Sequence, residues 1–338
     1  MEVLNFEADL RECMLCEHRC GVDRMSGERG VCGLAGPVIA SRTLHPAPPE
    51  SYTIFVAGCN FKCLNCQNWT ISQYPDNRMP VDGYVDTECL AFESIRQLES
   101  HAGTRMGADR IFFSGGEPTI HLPFIEKVVA AARRSRPGLK VNFDTNGFMT
   151  EPSLKRVLSF TTSITFDIKA FYDDSMKAIT GAPVEPVLRN AEIVAKTARE
   201  KLWEYRIVAI PEVNEEDIDP ICLFLASFAK DLPVAFLAFR PNFVLDEHPG
   251  ASRELMRRCV EQAKTAGLRN VTSAGVTGIR GKIGVVSDKV VETYNRKGAR
   301  IAASYARSKG CTTQPRDCSG CSSMNMCPIK GYIPQRSC

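Results

Sequence analysis

The stretch GCNFKCLNCQNW, Gly58 to Trp69, places Cys59, Cys63 and Cys66 in the spacing C-x3-C-x2-C. Three thiolates are one fewer than a closed tetrahedral metal site uses. The stretch continues from YTIFVAG, an apolar run beginning at Tyr52 and rich in strand formers. A loop at the end of a strand is where α/β folds keep their sites. Three thiolates there can hold three irons of a 4Fe–4S cube and leave the fourth open to a small molecule, whereas a structural cluster takes four cysteines. The alternative is zinc, or a closed cluster, whose fourth ligand lies elsewhere in the chain, although structural zinc prefers paired C-x2-C groups.

Outward from this loop the pattern alternates. Strand-like runs are expected at YTIFVAG, DRIFFSGG from Asp109, LKVNFDTNG, TSITFDIKA, WEYRIVAIP and PVAFLAFRP. Helical periodicity falls between and after them, at DTECLAFESIRQLESHA, LPFIEKVVAAARRSR, EPSLKRVLSF, PVLRNAEIVAKTAREK, DIDPICLFLASFAKDL and ASRELMRRCVEQAKTAG. Six strand–helix units argue for parallel strands joined by right-handed crossovers, apolar on both faces. Six units suit either a doubly wound sheet or an open barrel. From about Asn270 the chain reads as irregular and rich in Gly, Ser and Cys. The expected division is a cysteine-rich extension over 1–48, a core over 49–270 and a cysteine-rich module over 271–338.

A chain of 338 residues with 44% hydrophobic content can bury a large core. A net charge of +3 without a basic tract gives no reason to expect nucleic acid. The apolar run ICLFLASFA, from Ile221, falls short of the roughly 18 residues that a membrane span needs. The start, MEVLNFEADLREC, has neither a basic n-region nor an apolar h-region, so no signal peptide and a cytoplasmic location are expected. Fifteen cysteines are the anomaly, and they cluster. Cys13, Cys16, Cys20 and Cys32 form one group, the central three a second, and Cys311, Cys318, Cys321, Cys327 and Cys338 a third; Cys89, Cys222 and Cys259 stand alone. Disulfide frameworks suit small secreted scaffolds, which this chain does not resemble, so metal ligation is the preferred reading.

C-x3-C-x2-C after a first strand resembles the signature of the radical S-adenosylmethionine superfamily, and the similarity extends over roughly residues 11–270. That resemblance implies a partial (βα)6 TIM-type barrel. It also implies a 4Fe–4S cluster on Cys59, Cys63 and Cys66 with S-adenosylmethionine on the open iron. An electron delivered by a donor such as ferredoxin or flavodoxin would then cleave the sulfonium and release a 5′-deoxyadenosyl radical that abstracts hydrogen. SGGEPT, with Ser114, Gly115, Gly116 and Glu117, resembles the family's second-strand motif, which hydrogen-bonds the amino group of S-adenosylmethionine. FDTNG, with Asp144 and Thr145, and FDIKA, with Asp167 and Lys169, resemble motifs of the glycyl-radical-enzyme activating enzymes, whose carboxylates line the cofactor site and hold a monovalent cation. Lys169 is the alternative partner for these carboxylates. Arg206, in YRIV, matches an arginine that faces the cofactor, whereas Arg240 and Asn242 follow the sixth strand with no motif behind them. Asn65 departs from the pattern: relatives carry a large apolar or aromatic residue before the last cluster cysteine, so Phe61 or Trp69 would have to supply the stacking surface.

Cys13, Cys16, Cys20 and Cys32 supply four thiolates, enough to close a zinc site or a second 4Fe–4S cluster, and His18 inside the group reads as a surface residue. The leader C-x2-C-x3-C-x11-C resembles that of proteins similar to pyruvate formate-lyase activating enzyme. Cys318-x2-Cys321-x5-Cys327 partly resembles the auxiliary-cluster tail of radical enzymes that modify peptides. The resemblance therefore favours a protein or peptide substrate, through glycyl-radical activation or another post-translational modification. A cobalamin-assisted C-methylation of a protein is the enzymatic alternative, without a D-x-H-x-x-G motif to support it. A multi-cluster electron carrier or a zinc-stapled interaction protein is the non-enzymatic one. Glu117, Asp144 and Asp167 on successive strand ends speak against it, because a carrier needs no cofactor pocket.

Overall fold

A computed structural model describes residues 6–275, 296–313, 317–318, 321–323, 327 and 329–330. It is an α/β fold built on a mostly parallel sheet of eight strands in chain order, β1 to β8. In sequence the elements are α1 (Phe6–Arg11), β1 (Ile39–His45), β2 (Ser51–Val56), α2 (Trp69–Ser72), α3 (Thr87–Glu99), α4 (His101–Met106), β3 (Arg110–Gly115), α5 (Leu122–Ser135), β4 (Lys140–Thr145) and α6 (Glu151–Phe160). There follow β5 (Ser163–Asp167), α7 (Asp173–Thr180), α8 (Glu185–Thr197), β6 (Leu202–Ala209), α9 (Glu215–Phe228), β7 (Pro233–Ala238), α10 (Arg253–Thr265), β8 (Asn270–Ala274) and α11 (Lys297–Ser308). The chain divides into two compact units, Met1–Asn60 with Thr70–Thr165 and Phe61–Trp69 with Phe166–Cys338. No helix among the described residues is long and apolar enough to cross a membrane.

In the first unit β1 runs antiparallel to β2, while β2, β3 and β4 are mutually parallel. Val56 pairs with Gly115 and Phe113 with Phe143, so the loops that follow the three strands leave from the same end. The strands hold because both faces are buried: Ile54, Ile111, Phe113, Val141 and Phe143 are fully excluded from solvent on one face, and Thr53, Phe112 and Asn142 are buried on the other. Each such apolar side chain contributes about 1.5–3 kcal/mol. Asp86 caps α3 through the amides of Glu88 and Cys89, and Leu90, Ile95 and Leu98 line its buried face. The sequence reads one helix through His101, but Ser100 ends α3 and caps α4 by accepting from the Gly103 amide.

In the second unit β6, β7 and β8 are parallel, with Tyr205 opposite Val234 and Leu237 opposite Ala274. The stretch from Asn270 is not wholly irregular, as its composition suggested. It contains β8, whose polar, largely exposed residues hide the strand signal, and α11, which packs on α7 through a face of Ala299, Ile301, Ala302 and Ala306. α11 is amphipathic on small residues, and it escaped the sequence reading because the stretch from Asn270 was judged by its Gly, Ser and Cys content. β1 and the eight-residue α7 escaped it as well, because β1 alternates polar and half-buried residues and α7 is short.

Candidate functional site

The end of β3 turns on two glycines because no other residue fits. A Cβ on Gly115, whose φ is +113°, would lie 2.5 Å from the Val56 backbone, and one on Gly116 would lie 1.8 Å from the Gly58 carbonyl oxygen. This close approach lets Gly116 and Glu117 donate their amides to the Val56 and Gly58 carbonyls at 2.9 and 3.0 Å. The Gly115–Glu117 turn is thereby clamped to the start of the cysteine loop.

Glu117 is 1% exposed, and both of its carboxylate oxygens are engaged. Oε1 accepts from the Thr119 amide (3.0 Å), the Thr119 hydroxyl (2.6 Å) and the Thr145 hydroxyl (2.7 Å), and Oε2 accepts from the Asn146 amide (2.8 Å). Glu117 therefore braces the loop after β3 to the loop after β4. Burial outweighs these donors and pushes its carboxyl above the ordinary carboxylate range. Beside it the Ser114 hydroxyl donates to Asp144 Oδ2 at 2.7 Å.

Asn146 is a residue the sequence reading missed. Its side-chain amide donates to Asn60 Oδ1 at 2.7 Å and to the Cys59 sulfur at 3.8 Å, and its Oδ1 accepts from the Phe148 amide. Asn60 in turn donates to the Phe148 carbonyl at 3.2 Å. Both asparagines stood inside quoted motifs, GCNF and FDTNG, so the signal was present but uncommitted. An amide aimed at a thiolate sulfur orients a ligand and stabilises its charge, as partners around metal ligands do.

In the second unit Lys169 Nζ stands 2.7 Å from Asp167 Oδ2, and Arg206 Nε stands 3.9 Å from Asp167 Oδ1 and 3.2 Å from Glu204. Lys169 is thus a cationic partner of Asp167. Burial opposes charge on Asp167, but Lys169 and then Arg206 outweigh it and hold the carboxyl below its ordinary range. Burial likewise opposes charge on Lys169, and the nearby Asp167 and Cys63 more than restore it. Trp69 stacks on Phe243, centroids 5.6 Å apart and planes 8° from parallel, while Phe61 is buried. One face of Trp69 is therefore occupied. Asn65 is buried, and among the described residues its Oδ1 has no hydrogen-bond partner. Arg240 is exposed, and Asn242 donates to the Arg240 carbonyl, as befits a solvated strand end.

Cys59, Cys63 and Cys66 are all partly exposed on the loop between β2 and α2. Cys59 belongs to the first unit and the other two to the second. By sequence the three soft sulfur donors lie within eight residues, which is the donor chemistry of a thiolate-bound iron–sulfur cluster. Cys16 is buried, and burial followed by the neighbouring Cys32, Cys20 and Cys13 raises its thiol pKa, so the first cysteine group shares one neighbourhood. Among the described residues no three His, Cys, Asp or Glu side chains yet converge as a metal site. In the third group Cys318 is buried with its amide on the Gly181 carbonyl at 3.0 Å, and Cys321 Sγ lies 3.1 Å from the Thr313 hydroxyl. Cys338 lies outside the described residues. Cys222 and Cys259 are core thiols, each pushed up to about 12 by burial.

The model of the Radical SAM superfamily matches residues 53–225. An uncharacterized protein of Methanocaldococcus jannaschii is 27% identical over 297 residues, 80% of this chain and 83% of that protein. Pyruvate formate-lyase-activating enzyme of Staphylococcus aureus is 27% identical over 185 residues, 52% of this chain and 68% of that enzyme. The crystal structure of a domain of pyruvate-formate lyase-activating enzyme from Bacteroides vulgatus superposes with a TM-score of 0.40 at 22% identity, covering 50% of this chain and all of that domain. With its family match spanning more than half of the sequence and containing the cysteine loop and the ends of β2 to β6, the chain belongs to the radical SAM superfamily.

Proposed function

We propose that this protein is an enzyme that cleaves S-adenosylmethionine reductively to start hydrogen abstraction on a protein or peptide. The observation that carries the reading is the clamped set of strand ends in the first unit, where Cys59 follows β2, Glu117 follows β3 and Asp144 lies at the end of β4. A 4Fe–4S cluster on Cys59, Cys63 and Cys66 together with S-adenosylmethionine would supply the one-electron cleavage and the radical.

The chain's own residues do the positioning. Glu117 locks the turn so that the Gly115–Glu117 backbone is rigid before any ligand arrives, which lowers the ordering cost of binding. Asp144 and Ser114 present a polar edge for the amino acid end of the cofactor. Asn146 holds Cys59. Asp167, Lys169 and Arg206 form a charged group in which Lys169 keeps its proton, so it can offer a permanent cation to an anionic group. The Staphylococcus aureus relative is named for activating pyruvate formate-lyase, a protein, and this favours a macromolecular substrate in a reducing, cytoplasmic setting with a small redox protein as electron donor.

The test is anaerobic reconstitution followed by dithionite. Wild-type protein should convert S-adenosylmethionine to 5′-deoxyadenosine and methionine, and the triple variant Cys59→Ala, Cys63→Ala, Cys66→Ala should not. Undiminished cleavage by the triple variant would overturn the reading.

A further inference from the structure

Arg24 is 4% exposed, and no carboxylate pairs with it among the described residues. Its Nε donates to the Ala35 carbonyl at 3.0 Å and its Nη1 to the Ile120 carbonyl at 2.7 Å; Nη1 also lies 4.0 Å from Cys13 Sγ. A buried guanidinium cannot shed its proton, and burying a charge without a counter-charge is costly. Neutral carbonyls satisfy its hydrogen bonds and leave its charge uncompensated. A thiolate at Cys13, whose sulfur lies 4.0 Å from Nη1, would carry negative charge beside it, and Cys13 belongs to the first cysteine set. Four thiolates around Zn2+, or around a 4Fe–4S core of charge 2+, carry a net charge of −2.

The local backbone suits thiolates. The Val31 amide donates to Cys20 Sγ at 3.5 Å, and a Cβ on Gly30 would lie 2.7 Å from that sulfur, so glycine keeps the approach open. Cys13 is bracketed by its own amide on the Val22 carbonyl and its carbonyl under the Gly21 amide, which closes residues 13–22 into a compact turn.

This segment also grips all three loops of the candidate site in its unit. Cys16 forms a β-bridge with Met149, and the Thr150 amide donates to the Leu15 carbonyl at 3.2 Å. His18 Nε2 is hydrogen-bonded to the Asn60 carbonyl at 2.7 Å, and its ring packs 4.9 Å from Phe148. Cys32 and Leu34 form one buried cluster with Ile120, whose carbonyl already receives Arg24. Ile120 stands three residues after Glu117, Met149 three after Asn146, and Asn60 one after Cys59.

We propose that Cys13, Cys16, Cys20 and Cys32 close around a metal centre of net negative charge, that Arg24 is its internal counter-cation, and that this centre positions the loops bearing Asn60, Glu117 and Asn146. The positioning part rests on reading those loops as the S-adenosylmethionine site. The metal is zinc or an iron–sulfur cluster; the thiolate chemistry is shared, and elemental analysis separates the two.

The experiment starts from the full chain carrying Cys59→Ala, Cys63→Ala and Cys66→Ala. One equivalent of zinc, or the iron of one cluster, should disappear when Cys13→Ser and Cys20→Ser are added. An unchanged metal content overturns the proposal. Arg24→Met should speed removal of that metal by a chelator at least tenfold, while Arg24→Lys, which keeps the charge, should stay within about threefold of its parent. Equal loss in both variants, or in neither, overturns the counter-cation role. With the central cysteines intact, Cys13→Ser with Cys20→Ser should raise hydrogen exchange at the Thr119 and Asn146 amides at least tenfold. It should also weaken S-adenosylmethionine binding about tenfold while the central iron is retained. Unchanged exchange overturns the positioning role. If wild-type protein binds no S-adenosylmethionine, the proposed function fails, and metal content and exchange still decide this inference.

Discussion

Glu117 and Asp167 occupy equivalent places, just after β3 and at the end of β5, and both are shielded carboxylates, yet their surroundings are opposite in kind. Glu117 receives four neutral donors and no cation, and burial prevails over them. Asp167 has Lys169 at 2.7 Å and Arg206 at 3.9 Å, and there the cations prevail over burial. The first arrangement builds a rigid brace from hydrogen bonds. The second builds a fixed charge. A strand-end motif in an α/β chain thus specifies a location, while the partners assembled around it specify whether the carboxylate is scaffold or electrostatics.

Breaking the fixed charge should cost most. Asp167→Asn leaves Lys169 and Arg206 facing each other with reduced compensation, and removing one partner of a buried pair costs about 3–5 kcal/mol. The side chains of Asp167 and Lys169 are 19% and 16% exposed, so we expect the low end, about 3 kcal/mol, by chemical denaturation. The double variant Asp167→Asn with Lys169→Met should recover part of that loss. A double variant no more stable than the single would show that the pair is not the unit that matters.

Breaking the brace should cost somewhat less. Glu117→Gln keeps the shape but sets an amide against one of the donors, and an unsatisfied buried donor costs about 1–3 kcal/mol. The same variant should raise exchange of the Asn146 amide, which donates to Glu117. If stability and exchange both hold, Glu117 is not the link between the two loops.

The smallest effects should appear in pH dependence, and their signs should differ. A carboxyl raised in the folded state binds protons more readily folded than unfolded, so the Glu117 contribution falls as pH rises from the ordinary carboxylate range through its folded pKa. Asp167 is lowered in the folded state, so its contribution is present above the ordinary range and is lost as pH falls through its folded pKa. Each carboxyl contributes at most about 1.4 kcal/mol per pH unit in its window. Subtracting the Glu117→Gln and Asp167→Asn stability curves from that of the wild type should give differences of opposite slope. Equal slopes would erase the distinction between the two carboxylates.

The parallel strands, their crossovers and the positions of the motifs were legible because each depends on local pattern. Runs such as RIFFSG and KVNFDT carry strand-forming apolar residues at Ile111, Phe112, Phe113, Val141 and Phe143, and glycine marks the turn after each. Two of the elements that escaped lack such a local pattern, since β8 is mostly exposed and α7 is short, while α11 has one but lies in a stretch judged by its Gly, Ser and Cys content. Of the site, residue types were readable and partnerships were not. Asp167 and Lys169 stood two residues apart in FDIKA, and only the folded backbone decided that they pair. Glu117 was expected near the cofactor; its four donors come from residues up to 29 positions away, a distance that no motif spans. Arg24 sits in an ordinary polar stretch, and nothing in GVDRMSG announces a buried cation whose Nη1 bonds to a carbonyl 96 residues later. Sequence alone determined which groups are available, because strand-end chemistry is written in contiguous letters. Tertiary structure decided which charges are compensated and which loops are tied together, because burial and pairing energies belong to neighbours in space.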